Sequence, residues 1–135
     1  MNFGEKIYRA RKELHMSRQQ LSEITGLSKR TIAYYELDGK MPKKRGTYEI
    51  LSQALRVDIG VLLDDNAEFV LKAGEVYGEE GSKQAEKLVM EIRGLYAGGS
   101  LSQQDMDAMM LAIQDAYWIA KKKLLERQRR GENVE

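Results

Sequence analysis

The segment from Ser28 to Tyr34 has the residue types with the clearest chemical use. Ile32 and Tyr35 are three residues apart, a spacing that places both on the buried side of a helix, so the polar residues share the outward side. That outward side combines cations with hydroxyl groups, on Ser28, Lys29, Arg30, Thr31 and Tyr34. Cations and hydroxyl groups at the start of an exposed helix suit the base edges and phosphates of a DNA major groove. We therefore predict that these residues contact DNA.

A tight turn at Gly26 is expected to join this helix to the one before it. Glycine adopts a positive φ at the end of a helix at the lowest cost. Ser17, with Gln20 three residues later, predicts a capping box at the start of the first helix of this pair. Ser28 is a suitable N-cap, so the second helix of the pair should begin near Lys29. The two helices are then expected to share one buried face, formed by Leu21, Ile24, Leu27, Ile32 and Tyr35.

Two further groups are candidates for contacts with the DNA backbone. Gln19 lies at the start of the helix before the turn, where the amide dipoles of the helix also attract a phosphate. A basic loop after Gly39 adds cations that would neutralise backbone charge, namely Lys40, Lys43, Lys44 and Arg45. For this loop, simple solvation of the charges is the alternative interpretation.

Helical periodicity places further helices around this pair. Residues 2–14 are predicted to form a first helix, a fourth is expected from about Thr47, and residues 59–63 are expected to form a short fifth. Arg11 falls on the inward side of the first helix, where a guanidinium needs an anion. Glu36, at the end of the third helix, is the expected partner, and we assign this pair a structural role.

Charge is distributed unevenly along the chain. Residues 1–57 carry 12 Lys and Arg against 6 Asp and Glu, whereas residues 66–120 carry 4 against 9. A basic first part is typical of polyanion binding, and the acidic part behind it indicates a different role.

The residue inventory gives little support to catalysis. A single His, no Cys and no phosphate-cradling glycine loop leave few catalytic groups. We expect no enzymatic activity, no cofactor and no bound metal, with His15 in a solvent-facing turn. Neither a signal peptide nor a bilayer-spanning apolar segment is recognisable, so we expect a cytoplasmic protein without membrane contact.

Residues 66–135 are predicted to form a separate helical module. The helical spacing of apolar residues continues there between glycine-containing breaks, and Ser102 with Asp105 marks the start of a last helix. One stripe of that helix begins with Met106, Met109 and Met110. Packing in a core or a dimer is favoured for this stripe over an adaptable peptide-binding surface.

The first part of the chain resembles a known family through three motifs in order, RARKEL, SRQQLSEITGLSKRTIAYYELDGKMP and LSQALRVDIGVLL. Together they are similar to the helix-turn-helix of Cro and phage repressors, the XRE family of transcriptional regulators. The resemblance implies an all-α protein with a five-helix, lambda-repressor-like DNA-binding domain in residues 1–65. The resemblance also implies a helical extension of about three helices in residues 66–135. This extension is similar to that of some short bacterial regulators of the same family, through the segment LYAGGSLSQQDMDAMMLAIQDAYWIAKKK.

The resemblance implies a sequence-specific regulator in the bacterial cytoplasm. We expect a repressor that binds a two-fold operator in double-stranded DNA as a homodimer, with residues 66–135 as the dimerisation element. The alternative is an antitoxin-type or other regulator whose C-terminal helices bind a second, unidentified protein.

Overall fold

The described part of the computed structural model, residues 1–131, is entirely helical apart from its connections, and residue 96 is described by its backbone alone. The helices are α1 (Phe3–Glu13), α2 (Arg18–Thr25), α3 (Lys29–Leu37), α4 (Arg45–Leu55), α5 (Ile59–Leu62), α6 (Asp65–Tyr96) and α7 (Gln103–Arg129). The predicted all-α class is confirmed. None of these helices is both long and apolar enough to cross a membrane.

Local sequence sets the ends of the first helices as predicted. At α2, the Ser17 hydroxyl accepts the backbone N–H of Gln20 while the Gln20 side chain accepts the N–H of Ser17, a complete capping box. Gly26 ends α2 with a left-handed φ of 78°. Ser28 then caps α3 by accepting the N–H of Thr31 at 3.0 Å.

An aromatic cluster lies at the centre of the first five helices. The ring of Phe3 in α1 makes edge-to-face contacts with Tyr35 of α3 and Tyr48 of α4, at centroid distances of 5.4 Å in both cases. Fully buried aliphatic side chains surround it, contributed by Ile7, Leu21, Ile32, Leu51 and Leu62. Burial of these side chains, at about 1.5–3 kcal/mol each, dominates the stability of the bundle.

One predicted core residue lies outside this core. Ile24 is 60% exposed, and Leu27 is only half-buried. The buried stripe of α2 is centred on Leu21, and Ile24 lies to one side of it, near the end of a helix of eight residues. There Ile24 lines an open surface depression together with Leu14 and Ala54, so the prediction that Ile24 is buried was wrong.

The first compact unit of the chain covers Met1–Met90, and so continues beyond the boundary expected after residue 65. It includes most of α6, which bends at Gly78, where φ is 76° and ψ is −166°. This backbone conformation is accessible essentially only to glycine. After the bend the chain turns back closely, since a Cβ on Gly81 would lie 2.5 Å from the carbonyl oxygen of Ala73.

The second compact unit begins at Glu91 and contains the end of α6 and α7. Ser102 caps α7 by accepting the N–H of Asp105 at 3.1 Å, as predicted. Within α7, Met110 and Gln114 are buried, and the rings of Tyr117 and Trp118 meet edge to face. With α6 divided at Gly78, the predicted extension of about three helical pieces is confirmed.

Candidate nucleic-acid interface

The first turns of α3 present an exposed, cationic surface. Lys29, Arg30 and Tyr34 are exposed, while Ile32 and Tyr35 on the opposite side are buried. This is the division of the helix that the sequence predicts. The side chains left outside are therefore accessible to a ligand that approaches the start of α3.

Two of the three hydroxyl residues of this surface, Ser28 and Thr31, are hydrogen-bonded to each other. The Ser28 hydroxyl donates to the Thr31 hydroxyl oxygen at 2.9 Å and also caps the helix. Thr31 is half-buried, unlike its cationic neighbours. Their first role in the structure is to set where α3 begins.

An open cleft of about 960 Å³ lies beside the start of α3 and joins it to α1 and α2. Gln19, Lys29 and Arg30 line this cleft, so the structure brings three predicted site residues together. Sequence reasoning did not assign the other polar residues of its wall to the site, and these include Tyr8, Lys12, His15 and Arg18. The cations among them increase the positive potential of a concave surface, which favours a polyanion.

The predicted ion pair between Arg11 and Glu36 is present and buried, next to the cleft. The Arg11 guanidinium donates to both carboxylate oxygens of Glu36, at 2.9 and 2.7 Å, and to the carbonyl of Met16 at 2.9 Å. Arg18 donates to the same carboxylate at 3.1 Å. The hydrogen bonds to Glu36 raise the pKa of Arg11 further above its ordinary value. One carboxylate therefore connects α1, the start of α2 and the end of α3.

Gln19 lies in the first turn of α2 at the edge of the cleft. It is exposed, and its side-chain amide donates to Glu23 one turn later at 3.1 Å. The contact holds the amide along the helix surface. Exposed hydrogen bonds of this kind contribute little, so a phosphate can replace Glu23 at low cost.

The basic loop lies against α6 instead of standing free in solvent. Arg45 donates to both carboxylate oxygens of Glu68, at 2.8 and 3.0 Å, and lies 3.5 Å from a Glu75 oxygen. This pairing raises the pKa of Arg45 and lowers the pKa of Glu68. Lys44 differs from the other three predicted cations of the loop. It is exposed, and within the described part of the chain it forms no ion pair.

Glu86 is the second anchor of this loop. Its buried carboxylate accepts the backbone N–H of Met41 at 2.7 Å and pairs with Lys43, while Lys40 lies 3.7 Å away. Burial lowers the pKa of Lys43, and the contact with Glu86 opposes that shift. Three of the four loop cations, Lys40, Lys43 and Arg45, are therefore held by carboxylates from residues 68–86, and no sequence pattern predicts this pairing.

Comparison with known protein families matches residues 4–68 to a helix-turn-helix domain. The first compact unit thus contains a segment that is similar to a helix-turn-helix domain. The two central helices of this segment are α2 and α3, joined through Gly26. No curated protein and no solved structure matches the chain.

Proposed function

We propose that this protein is a sequence-specific DNA-binding transcriptional regulator of the XRE type, acting as a repressor. The supporting observation is the exposed cationic start of α3, held beside a concave cleft with additional cations on its wall. In helix-turn-helix proteins the second helix enters the major groove with its N-terminal residues toward base edges. Here α3 is that helix.

Base recognition is assigned to the exposed residues of α3. Arg30 is suited to bidentate pairing with the O6 and N7 atoms of a guanine, an interaction worth about 1–3 kcal/mol of discrimination. Lys29 contacts a base or a flanking phosphate. Tyr34, one turn further along, contacts a phosphate or packs against a thymine methyl group. Ser28 and Thr31 contribute hydroxyl groups at the margin of this surface.

Backbone contacts fix the register of α3 in the groove. Gln19, at the start of α2, binds a phosphate together with the N–H groups of that helix end. Lys44 supplies a cation from the loop. Lys40, Lys43 and Arg45 contribute after exchanging α6 carboxylates for phosphates, so their contribution is smaller than their number indicates.

The chain is proposed to act as a homodimer on a two-fold operator. We assign DNA contact to residues 1–65 and dimerisation to residues 66–135. Two such domains place their recognition helices on half-sites about 34 Å apart, one turn of the DNA helix. This arrangement is supported by the small size of a single helix-turn-helix surface, since one α3 reads few base pairs.

Selection of bound sequences from a random DNA pool tests the proposal and supplies a target. With that target, Arg30→Ala is expected to weaken specific binding by about 1–3 kcal/mol and non-specific binding far less. Arg9→Ala is the matched control, because Arg9 is exposed on α1 and does not line the cleft. Equal losses on both kinds of DNA would remove Arg30 from base recognition. Absence of any selected sequence would contradict the proposed function.

A further inference from the structure

The exposed side of α7 carries small and apolar residues in a regular order. An alanine recurs every four residues, and all four are exposed: Ala108, Ala112, Ala116 and Ala120. Residues four apart lie on the same helix face, and Ile119, which is 57% exposed, lies beside them. High helix propensity accounts for exposed alanines, but it does not account for Ile119.

The charges of α7 are separated along its length. Residues 103–116 contain three Asp and no cation, whereas residues 117–130 contain six Lys and Arg with a single Glu. The helix dipole favours this order only within the first and last turns. Asp115 and Lys121 lie well inside the helix, so the dipole does not explain their positions.

We propose that two copies of the chain pair through α7 in antiparallel orientation, with the alanine face at the contact. Antiparallel pairing sets the acidic half of each helix against the basic half of the other, whereas parallel pairing sets like charges together. A two-fold axis lets the same surface serve both copies. Small side chains allow the helix axes to approach to the short end of the usual 8–10 Å range.

The alanine spacing also fixes the register of this pair. With the two-fold axis at the level of residue 114, Ala108 faces the partner's Ala120 and Ala112 faces the partner's Ala116. Asp105 then faces the partner's Lys123. Within one helix these two charges lie about 27 Å apart, so only a second helix can bring them together.

The inference rests on the proposed function, because it supplies the contact surface of the proposed homodimer. The pairing of α7 can be tested without DNA. Sedimentation equilibrium of the full chain at low salt is expected to show a dimer. Asp105→Lys or Lys123→Asp alone should raise the dimer dissociation constant about tenfold, because two like-charge contacts replace two attractive ones. The double variant Asp105→Lys/Lys123→Asp should restore the wild-type value. Lys83→Asp, an equal charge change on α6, is the control, and far-UV circular dichroism checks that each variant is folded.

A cross-linking experiment tests the orientation independently. The chain has no Cys, so Ala112→Cys and Ala116→Cys each introduce a single thiol. Antiparallel pairing predicts that a mixture of the two variants forms a disulfide-linked heterodimer in preference to either homodimer. Preferential cross-linking of Ala112→Cys with itself would overturn the orientation, and failure of the charge swap to restore the dimer would overturn the register. A monomer at all concentrations would overturn the inference and favour a different protein as the partner, while leaving the DNA-binding measurements unaffected.

Discussion

At the scale of single residues, Glu36 connects the three helices around the cleft through its buried carboxylate. Its side chain is 1% exposed and accepts hydrogen bonds from Arg11, which is 5% exposed, and from Arg18. Arg18 also lines the cleft. Loss of this carboxylate would leave the buried guanidinium of Arg11 without its anion and release the ends of three helices.

Glu36→Ala is expected to lower the free energy of unfolding by about 3–5 kcal/mol, the usual cost of removing one partner of a buried ion pair. Denaturant unfolding followed by circular dichroism measures it. Glu23→Ala, which removes an exposed carboxylate from α2, should change the value by no more than about 0.5 kcal/mol. Similar losses in the two variants would show that the buried pair has no special structural role.

Tyr48 presents a different situation, a buried hydroxyl with no hydrogen-bond partner among the described residues. Burial raises the pKa of its phenol, and burial also raises the pKa of Tyr35 to about 12. The folded chain therefore holds both phenols protonated above pH 10, where an unfolded tyrosine ionises. Their contribution to stability is complete below pH 10 and is lost as the pH rises toward the higher folded-state values.

Tyr48→Phe is expected to raise the free energy of unfolding at neutral pH by up to about 1 kcal/mol, because it removes an unsatisfied polar group and keeps the ring. The loss of stability above pH 10 should also be smaller than in the wild type. Urea unfolding at neutral pH and between pH 9 and 11 measures both effects. Tyr8→Phe is the control, since Tyr8 is exposed. A destabilised Tyr48→Phe variant would show that the hydroxyl has a favourable contact.

At the scale of helices, the sequence predicts best what is decided locally. The N-caps at Ser17, Ser28 and Ser102 are each confirmed, because a cap depends on residues within one turn. The Arg11–Glu36 pair is also confirmed, since a buried arginine requires an anion and the fold offers few. The exposure of Ile24 was not predicted, because burial depends on how α2 packs against the other helices and not on residues within one turn.

The contacts of the basic loop show where sequence reasoning ends. Arg45 is paired with Glu68, and Lys43 with Glu86, which lies 43 positions away in the chain. Neither carboxylate differs in sequence from others in α6. Their placement depends on the bend at Gly78 and on the packing of α6 within the first compact unit, which no local pattern specifies.

The α6 carboxylates are expected to reduce the affinity of the loop for DNA. The contacts of Arg45 are solvent-exposed, with 44% exposure for Arg45, 47% for Glu68 and 61% for Glu75, so they are easily exchanged. Glu68→Gln/Glu75→Gln is therefore expected to strengthen DNA binding several-fold at low salt, about a 3- to 10-fold change. The slope of log K against log salt should become steeper by up to about one unit, because Arg45 then meets a phosphate without a competing carboxylate.

Fluorescence anisotropy titrations over a range of salt concentrations measure this change. The matched control is Glu79→Gln/Glu80→Gln, which removes the same charge from α6 at residues that form no ion pair with the loop cations in the described part of the chain. Equal gains in the two double variants would show a general charge effect. An unchanged slope in Glu68→Gln/Glu75→Gln would show that Arg45 does not engage phosphate.

At the scale of the whole molecule, the family match and the compact unit end at different residues. The helix-turn-helix match covers residues 4–68, whereas the compact unit continues to Met90. The residues between include buried apolar side chains on both sides of the bend, namely Phe69, Val70, Leu71, Ala73, Ala85 and Val89. They also include Glu86, whose carboxylate accepts a hydrogen bond from the backbone N–H of Met41. The segment 66–90 therefore contributes to the same core as the helices that carry the candidate interface.

A fragment of residues 1–90 is accordingly expected to unfold cooperatively with near wild-type stability, whereas a fragment of residues 1–65 should lose several kcal/mol. Burial of Val70 and Leu71 alone contributes about 1.5–3 kcal/mol for each side chain, and removal of Glu86 leaves the Met41 N–H without its acceptor. Urea unfolding of the two fragments and the full chain measures the difference. Equal stability of the two fragments would show that α6 adds nothing to the helix-turn-helix core. The 1–90 fragment should also retain non-specific DNA binding, because it contains the whole cleft and both sets of loop contacts.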